Sequence, residues 1–253
     1  MSGGCPDGPS HFHKLGQTRR IGSLGQANVA TAKAAEKTGT TRTNDPERTK
    51  ADIVAVATRE FSEKGYSGGR VDDIAERTKT SKRMIYYYFG SKDGLYRAVL
   101  LEYYRKLRTA ERELHLEDKP PLEALRLLVG FTYDWHMAHG DDVRLVMVEN
   151  IHQARHLAEL PSIEPINISV VALTERILAR GVEAGVMRGT VDPMELYLSI
   201  AALCFFNVSN RHTISAIFGY DMASPKVMEA RRASIIDMVL RGVVSDFALL
   251  KGA

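Results

Sequence analysis

The sequence predicts an all-α protein, and three observations carry the prediction. From residue 45 onward apolar residues recur at three- and four-residue intervals. No stretch alternates with period two between hairpin turns. Gly and Pro cut the chain into segments of helix length. The 253 residues exceed one small domain, and 44% of them are hydrophobic, enough for a sizeable core.

Each element follows from local signals. Asp45-Pro46 reads as an N-cap followed by Pro at the first helical position, and Ile53, Val54, Ala57 and Phe61 then share one face. Gly65 stops that helix, and Tyr66-Ser67-Gly68-Gly69 turns. A very short helix is expected from Val71 to about Thr78, with Ile74 and Ala75 inward. Lys79-Thr80 leads into a second, Ser81 to Tyr88, capped by Ser81. Ser91 caps the next, Lys92 to about His115, lined on one face by Leu95, Val99, Tyr103 and Leu107. Pro120-Pro121 opens a helix that reaches Ala138, and Asp141-Asp142 begins one expected to continue to about Ala158. Helices over roughly 164–184, 193–217 and 225–249 complete the chain, punctuated by Gly185, Gly189, Pro193, Gly219 and Pro225. Residues 1–44, rich in Gly, Ser, Thr, Ala and Gln, bury too little to fold and are expected to be a disordered basic tail.

Several classes are excluded at this level. Cys5 and Cys204 stand far apart and suggest neither a disulfide nor a metal framework, so a reducing, cytoplasmic setting is expected. The longest nearly apolar stretch, Leu196 to Phe206, is about half of a bilayer span, and the N-terminus lacks the apolar region of a cleavable signal. No membrane association is therefore expected. Neither a Walker loop, a nucleophile elbow, an HExxH pair nor a dinucleotide fingerprint occurs, so an enzyme is not expected and no cofactor is implied. The net charge of +3 conceals a split: the first 110 residues carry +8 and the rest −5. Such a split suggests a polyanion-binding half joined to a half with another task.

Two short helices joined by a turn and braced by a longer one form a helix-turn-helix arrangement. Within Ser81-Lys82-Arg83-Met84-Ile85-Tyr86-Tyr87-Tyr88-Phe89, Ile85 and Phe89 share a face at helical spacing. Lys82, Arg83, Tyr86 and Tyr87 then lie toward solvent. Cations at a helix N-terminus suit the DNA major groove, where Arg and Lys donate to guanine O6 and N7. A solvated basic helix beside a core tyrosine cluster is the bland alternative.

Residues 48–107 resemble the DNA-binding domain of the TetR/AcrR family of transcriptional regulators. The resemblance rests on Ala57, Phe61, Gly65-Tyr66, Val71-Asp72-Asp73-Ile74-Ala75, Ser81, Ile85-Tyr86-Tyr87-Tyr88-Phe89 and Ser91-Lys92-Asp93-Gly94-Leu95. Arg70 and Arg83 depart from the family pattern, and both add positive charge. The resemblance implies a helix-turn-helix domain over 45–95 and a helical effector-binding and dimerisation domain over 96–253. It implies that Lys82 and Arg83 face base edges, that Tyr87 lies in the groove, and that Tyr86, Tyr88 and Lys92 hold phosphates. Thr80, Ser81 and Arg70 are further phosphate candidates. The stretch Phe205-Phe206-Asn207-Val208-Ser209-Asn210-Arg211-His212-Thr213 looks similar to regulators of uracil- or nicotinate-type heterocycle catabolism.

The expected partners are a double-stranded DNA operator, a small organic effector and a second copy of the chain. Ile235, Met238, Val239 and Gly242 form one apolar stripe of the last helix; Ile236, Leu240, Val243 and Phe247 form another. A helix apolar on two faces needs two partners, which favours a homodimer. Candidate effector residues are Phe131, Trp135, His136, His139, Met147, Asn150, His152 and His156, with Phe205, Phe206 and Asn210 facing them. His152 and His156 stand at i, i+4 but lack a third ligand, so no metal is expected. A helical small-molecule enzyme or carrier with an incidental basic N-terminus is the alternative, and it has no catalytic constellation to support it.

Overall fold

In a computed structural model of the protein, residues 45–246 are described, and they form ten α-helices and one 3-10 turn. The expectations for residues 1–44 and for Phe247 lie outside these residues. Among the described residues the only extended pairing is an isolated antiparallel bridge between Met187 and Val244. The all-α reading holds.

The first four helices are α1 (Pro46–Gly68), α2 (Val71–Thr78), α3 (Lys82–Phe89) and α4 (Lys92–Arg112). Their caps are the ones the sequence advertises. The Asp45 carboxylate accepts from the Glu47 and Arg48 amides, Ser81 from Met84 N, and Ser91 from Gly94 N. Gly65, at φ 69°, breaks the regular helix before α1 ends, as its position predicts. Lys79 takes the left-handed conformation at φ 53°, turning α2 toward α3. Phe61, Ile74, Ile85, Leu95 and Tyr96 are fully buried in the core these helices share.

The remaining helices are α5 (Pro121–Ala138), α6 (Gly140–Ile151), α7 (Ile163–Glu183), α8 (Pro193–Ser209), α9 (Arg211–Phe218) and α10 (Pro225–Val243). A second core gathers residues of α5, α7, α8 and α10, including Leu125, Ile177, Ile200 and Val239. Three lengths differ from expectation: the last helix, foreseen to about 249, ends at Val243, where Val244 turns extended and pairs with Met187. The helix foreseen to Ala158 ends at Ile151, because the buried Glu149 carboxylate captures the His156 and Leu157 amides while Gln153 and Ala154 adopt positive φ. The helix foreseen over 193–217 breaks at Asn210 into α8 and α9.

Two elements link the cores. α4 contributes Leu95 and Val99 to the first core and buries Tyr103, Leu107, Arg108 and Glu111 further along. At 1.5 Å per residue its 21 residues span about 31 Å. α6 packs heavily on α1 and lends Leu145 to the first core. α4 is thus a continuous helical link between the cores, with a second, packed link beside it.

Candidate nucleic-acid interface

α3 is oriented chiefly by Ile85, with Tyr88 and Phe89 packed partly against the same core. Ile85 is fully buried, which stabilises the docked helix by about 2 kcal/mol. That placement turns Lys82, Arg83, Tyr86 and Tyr87 outward, all four exposed, with Tyr87 at 78%. Tyr88 is half-buried, packs edge-on to Tyr87, and carries Lys50 Nζ over its ring at 5.6 Å. Among the described residues Arg83 has no ion-pair partner. Lys82 donates to Asp72 Oδ2 at 3.0 Å, and this bond holds its ammonium above the usual lysine range.

The flanking residues bring further donors to the same side. Lys92 occupies the first turn of α4, 4.9 Å from the Tyr66 ring centroid, with Nζ donating to Ser67 O. A helix N-terminus with free amides and a lysine is a favourable place for a phosphate. Arg70 is exposed and its backbone amide donates to Glu60. The Ser81 hydroxyl is engaged as the α3 cap, and Thr80 Oγ1 donates to Thr78 O at 3.3 Å. The DNA candidates from Arg70 to Lys92 thus lie on or beside the turn between α2 and α3, on α3, and at the helix starts around them.

Sequence reasoning missed what fixes this arrangement. Glu60 is 1% exposed, and its carboxylate accepts from the Arg70 amide at 3.1 Å and pairs with Lys64 at 2.8 Å and Arg77 at 3.4 Å. It ties α1 to α2. The available signal was an acid beside Ala57 and Phe61 on the apolar face of α1. Tyr66 Oη donates to Asp93 at 2.7 Å, which lowers the Asp93 carboxyl, while burial above all raises the Tyr66 phenol.

The effector candidates fall into separate groups. Phe131, Trp135 and His139 form a ring ladder along α5, with centroids 5.6 and 4.0 Å apart. His136 is buried against Phe205, and burial holds its imidazole below the usual histidine range. Phe206 lines a cavity of about 220 Å³ with Tyr133, Ile214 and Arg231. Asn210 sits at the α8–α9 break and donates to Ser209 Oγ. Met147 is half-buried on α6, whereas Asn150 is exposed and donates back to Val146 O. His152 and His156 stand apart from the other candidates. They pack beside Tyr66, and His156 also contacts Tyr96 while bonding to Glu149 at 2.9 Å. Because α6 ends before them, they are not one helical turn apart, and the i, i+4 argument for them lapses.

Residues 53–99 match the profile described as bacterial regulatory proteins, tetR family, and residues 121–239 match tetracyclin repressor-like, C-terminal domain. The HTH-type transcriptional repressor NicS of Pseudomonas putida is 36% identical over 207 residues, covering 82% of this chain and 97% of NicS. The HTH-type transcriptional regulator RutR of Escherichia coli O157:H7 is 28% identical over 153 residues, 60% of this chain and 70% of RutR. A bacterial regulatory protein in the tetR family from Rhodococcus RHA1 shares the fold, with TM-score 0.61 at 22% identity over 79% of this chain and 99% of that one. So does the fatty acid degradation regulator FadR from Bacillus halodurans, with TM-score 0.62 at 20% identity over 77% and 95%. Fold, outward-facing α3 and relatives together define a DNA-binding transcriptional regulator of the helix-turn-helix class. The chain belongs to the TetR family.

Proposed function

We propose that the protein is a dimeric repressor that binds an inverted-repeat operator and releases it when a small organic effector occupies the C-terminal half. The observation that carries this reading is the outward face of α3, where the unpaired Arg83 guanidinium and the 78% exposed Tyr87 stand beside Lys82. In this reading Arg83 and Lys82 face base edges and Tyr87 lies in the groove. Tyr86, Tyr88, Lys92, Arg70, Thr80 and Ser81 fix the register on phosphates. Residues 45–95 act as the reader and 96–253 as the effector-binding and dimerisation part. NicS, named a transcriptional repressor, supports repression.

Footprinting of the full chain on DNA upstream of its own gene tests the proposal. A protected inverted repeat is expected, with half-sites about one duplex turn, or a small multiple of it, apart. Addition of catabolic intermediates is expected to lift the protection. Protection spread evenly over unrelated DNA would refute the operator reading.

A further inference from the structure

The C-terminal end of α4 buries charge that the DNA-binding role does not use. Arg108 is 3% and Glu111 4% exposed. Arg108 Nη1 donates to Glu111 Oε2 at 2.6 Å, and Nη2 donates to Tyr197 Oη of α8 at 3.0 Å. Arg108 Nε is equally buried and has no acceptor. A guanidinium cannot shed its proton, so a buried one demands acceptors and a counter-charge. Glu111 is a weak counter-charge: burial pushes its carboxyl up to about 7, against the pull of Arg108.

A cavity of about 420 Å³ adjoins this pair, between α4 and α7. Arg108 and Glu111 line it together with the exposed Arg112 and Arg176, and Val170 and Leu173 supply an apolar wall. We propose that this cavity binds a small organic monoanion through its carboxylate, drawn by the Arg108 guanidinium in its wall and by Arg112 and Arg176. The proposal rests on the effector-responsive reading above and names the chemical class of that effector.

Charge and shape select the class. Three arginines face only Glu117 and the weak counter-charge Glu111, which leaves at least one positive charge uncompensated among the arginines and carboxylates of the lining. A monoanion neutralises it, whereas a phosphate monoester would overshoot. A planar carboxylate also matches two adjacent guanidinium donors, as a point-like anion does not. The apolar wall then covers the body of the molecule, in a volume suited to a single ring or short chain.

Isothermal titration calorimetry of the full chain with acetate, benzoate and cyclohexanecarboxylate, each beside its carboxamide, is the test. At least one carboxylate is expected to bind about tenfold more tightly than its amide. The double variant Arg108→Gln with Glu111→Gln, which leaves neither charge stranded, should weaken that binding by about tenfold or more while operator affinity stays unchanged. Arg112→Gln and Arg176→Gln, at exposed positions, should each weaken it by about two- to fivefold. The proposal is overturned if no carboxylate outbinds its amide, or if the double variant keeps the affinity. Should the double variant not fold, unchanged affinity in both Arg112→Gln and Arg176→Gln overturns it instead. Operator release by uncharged compounds alone would remove this site and leave the effector reading standing. Carboxylate binding that never alters operator affinity would do the reverse.

Discussion

Arg83 and Lys92 carry the same charge in different settings, and their substitution should separate the two kinds of DNA contact. Arg83 stands on the exposed face of α3, while Lys92 rests over the Tyr66 ring at the start of α4. Arg83→Ala is expected to lose about 1–3 kcal/mol of discrimination between operator and mismatched DNA. Lys92→Ala should weaken every sequence alike and reduce the salt dependence by about one counterion. Fluorescence anisotropy at several salt concentrations reads both, and identical losses in the two variants would contradict the division. Glu111 governs a different observable. Burial pushes its native carboxyl up to about 7 from an ordinary value of 4.5. Below the lower value both folded and unfolded chains hold the proton, so its contribution is complete there. As pH rises toward 7 the unfolded chain releases a proton that the native state retains, and stability falls. Glu111→Gln should flatten this decline by about 2 kcal/mol in urea titrations across that window.

Among the elements, the end of α6 depends on Glu149. Its carboxylate, 1% exposed, accepts from His156 N at 2.7 Å, from Leu157 N at 3.1 Å and bonds His156 Nδ1 at 2.9 Å. Glu149→Ala strands these partners and should cost the 152–158 segment about 2–3 kcal/mol of local stability, visible as faster amide exchange there. Exchange unchanged from wild type would show that the segment holds without it. This element also shows why some boundaries were legible and others were not. Asp45-Pro46, Ser81, Ser91 and Pro120-Pro121 announce helix starts through chemistry confined to neighbouring residues, and the helices begin beside them. The stop at Ile151 comes from a side chain reaching seven residues ahead, which hydrophobic spacing does not register. The break at Asn210 has no Gly or Pro to mark it. The outward face of α3 was legible because Ile85 and Phe89, four residues apart, mark its inner face. The Arg108 cluster was not, because its Tyr197 partner lies 89 positions away.

On the scale of the whole molecule, two helices leave apolar surface uncovered in a single chain. Met194 and Leu198 of α8 and Met238 of α10 are 42–50% exposed, and Gly242 is exposed beside them. A groove of about 560 Å³ between these helices is lined by Leu196, Leu203, Met238 and Gly242. Met238 and Gly242, from the first apolar stripe read on the last helix, lie here, whereas Ile236, Leu240 and Val243 of the second are buried in the chain's own core. A Cβ at Gly242 meets nothing within 4 Å, so Gly242→Arg leaves the packing of one protomer intact. It should nevertheless yield monomers in sedimentation velocity, because an arginine in a packed seam between copies would be an unpaired buried charge. Operator affinity should fall with it, and a Gly242→Arg protein that still sediments as a dimer would exclude this face as the seam. A further consequence follows from α4 alone, which carries Lys92 near one end and Arg108 near the other. An inserted or deleted residue between them would rotate one end against the other by about 100°. Either the contacts around Lys92 or the burial of Arg108 would then be lost, with no intermediate register available. α4 should therefore vary among descendants of this gene by substitution and keep its length.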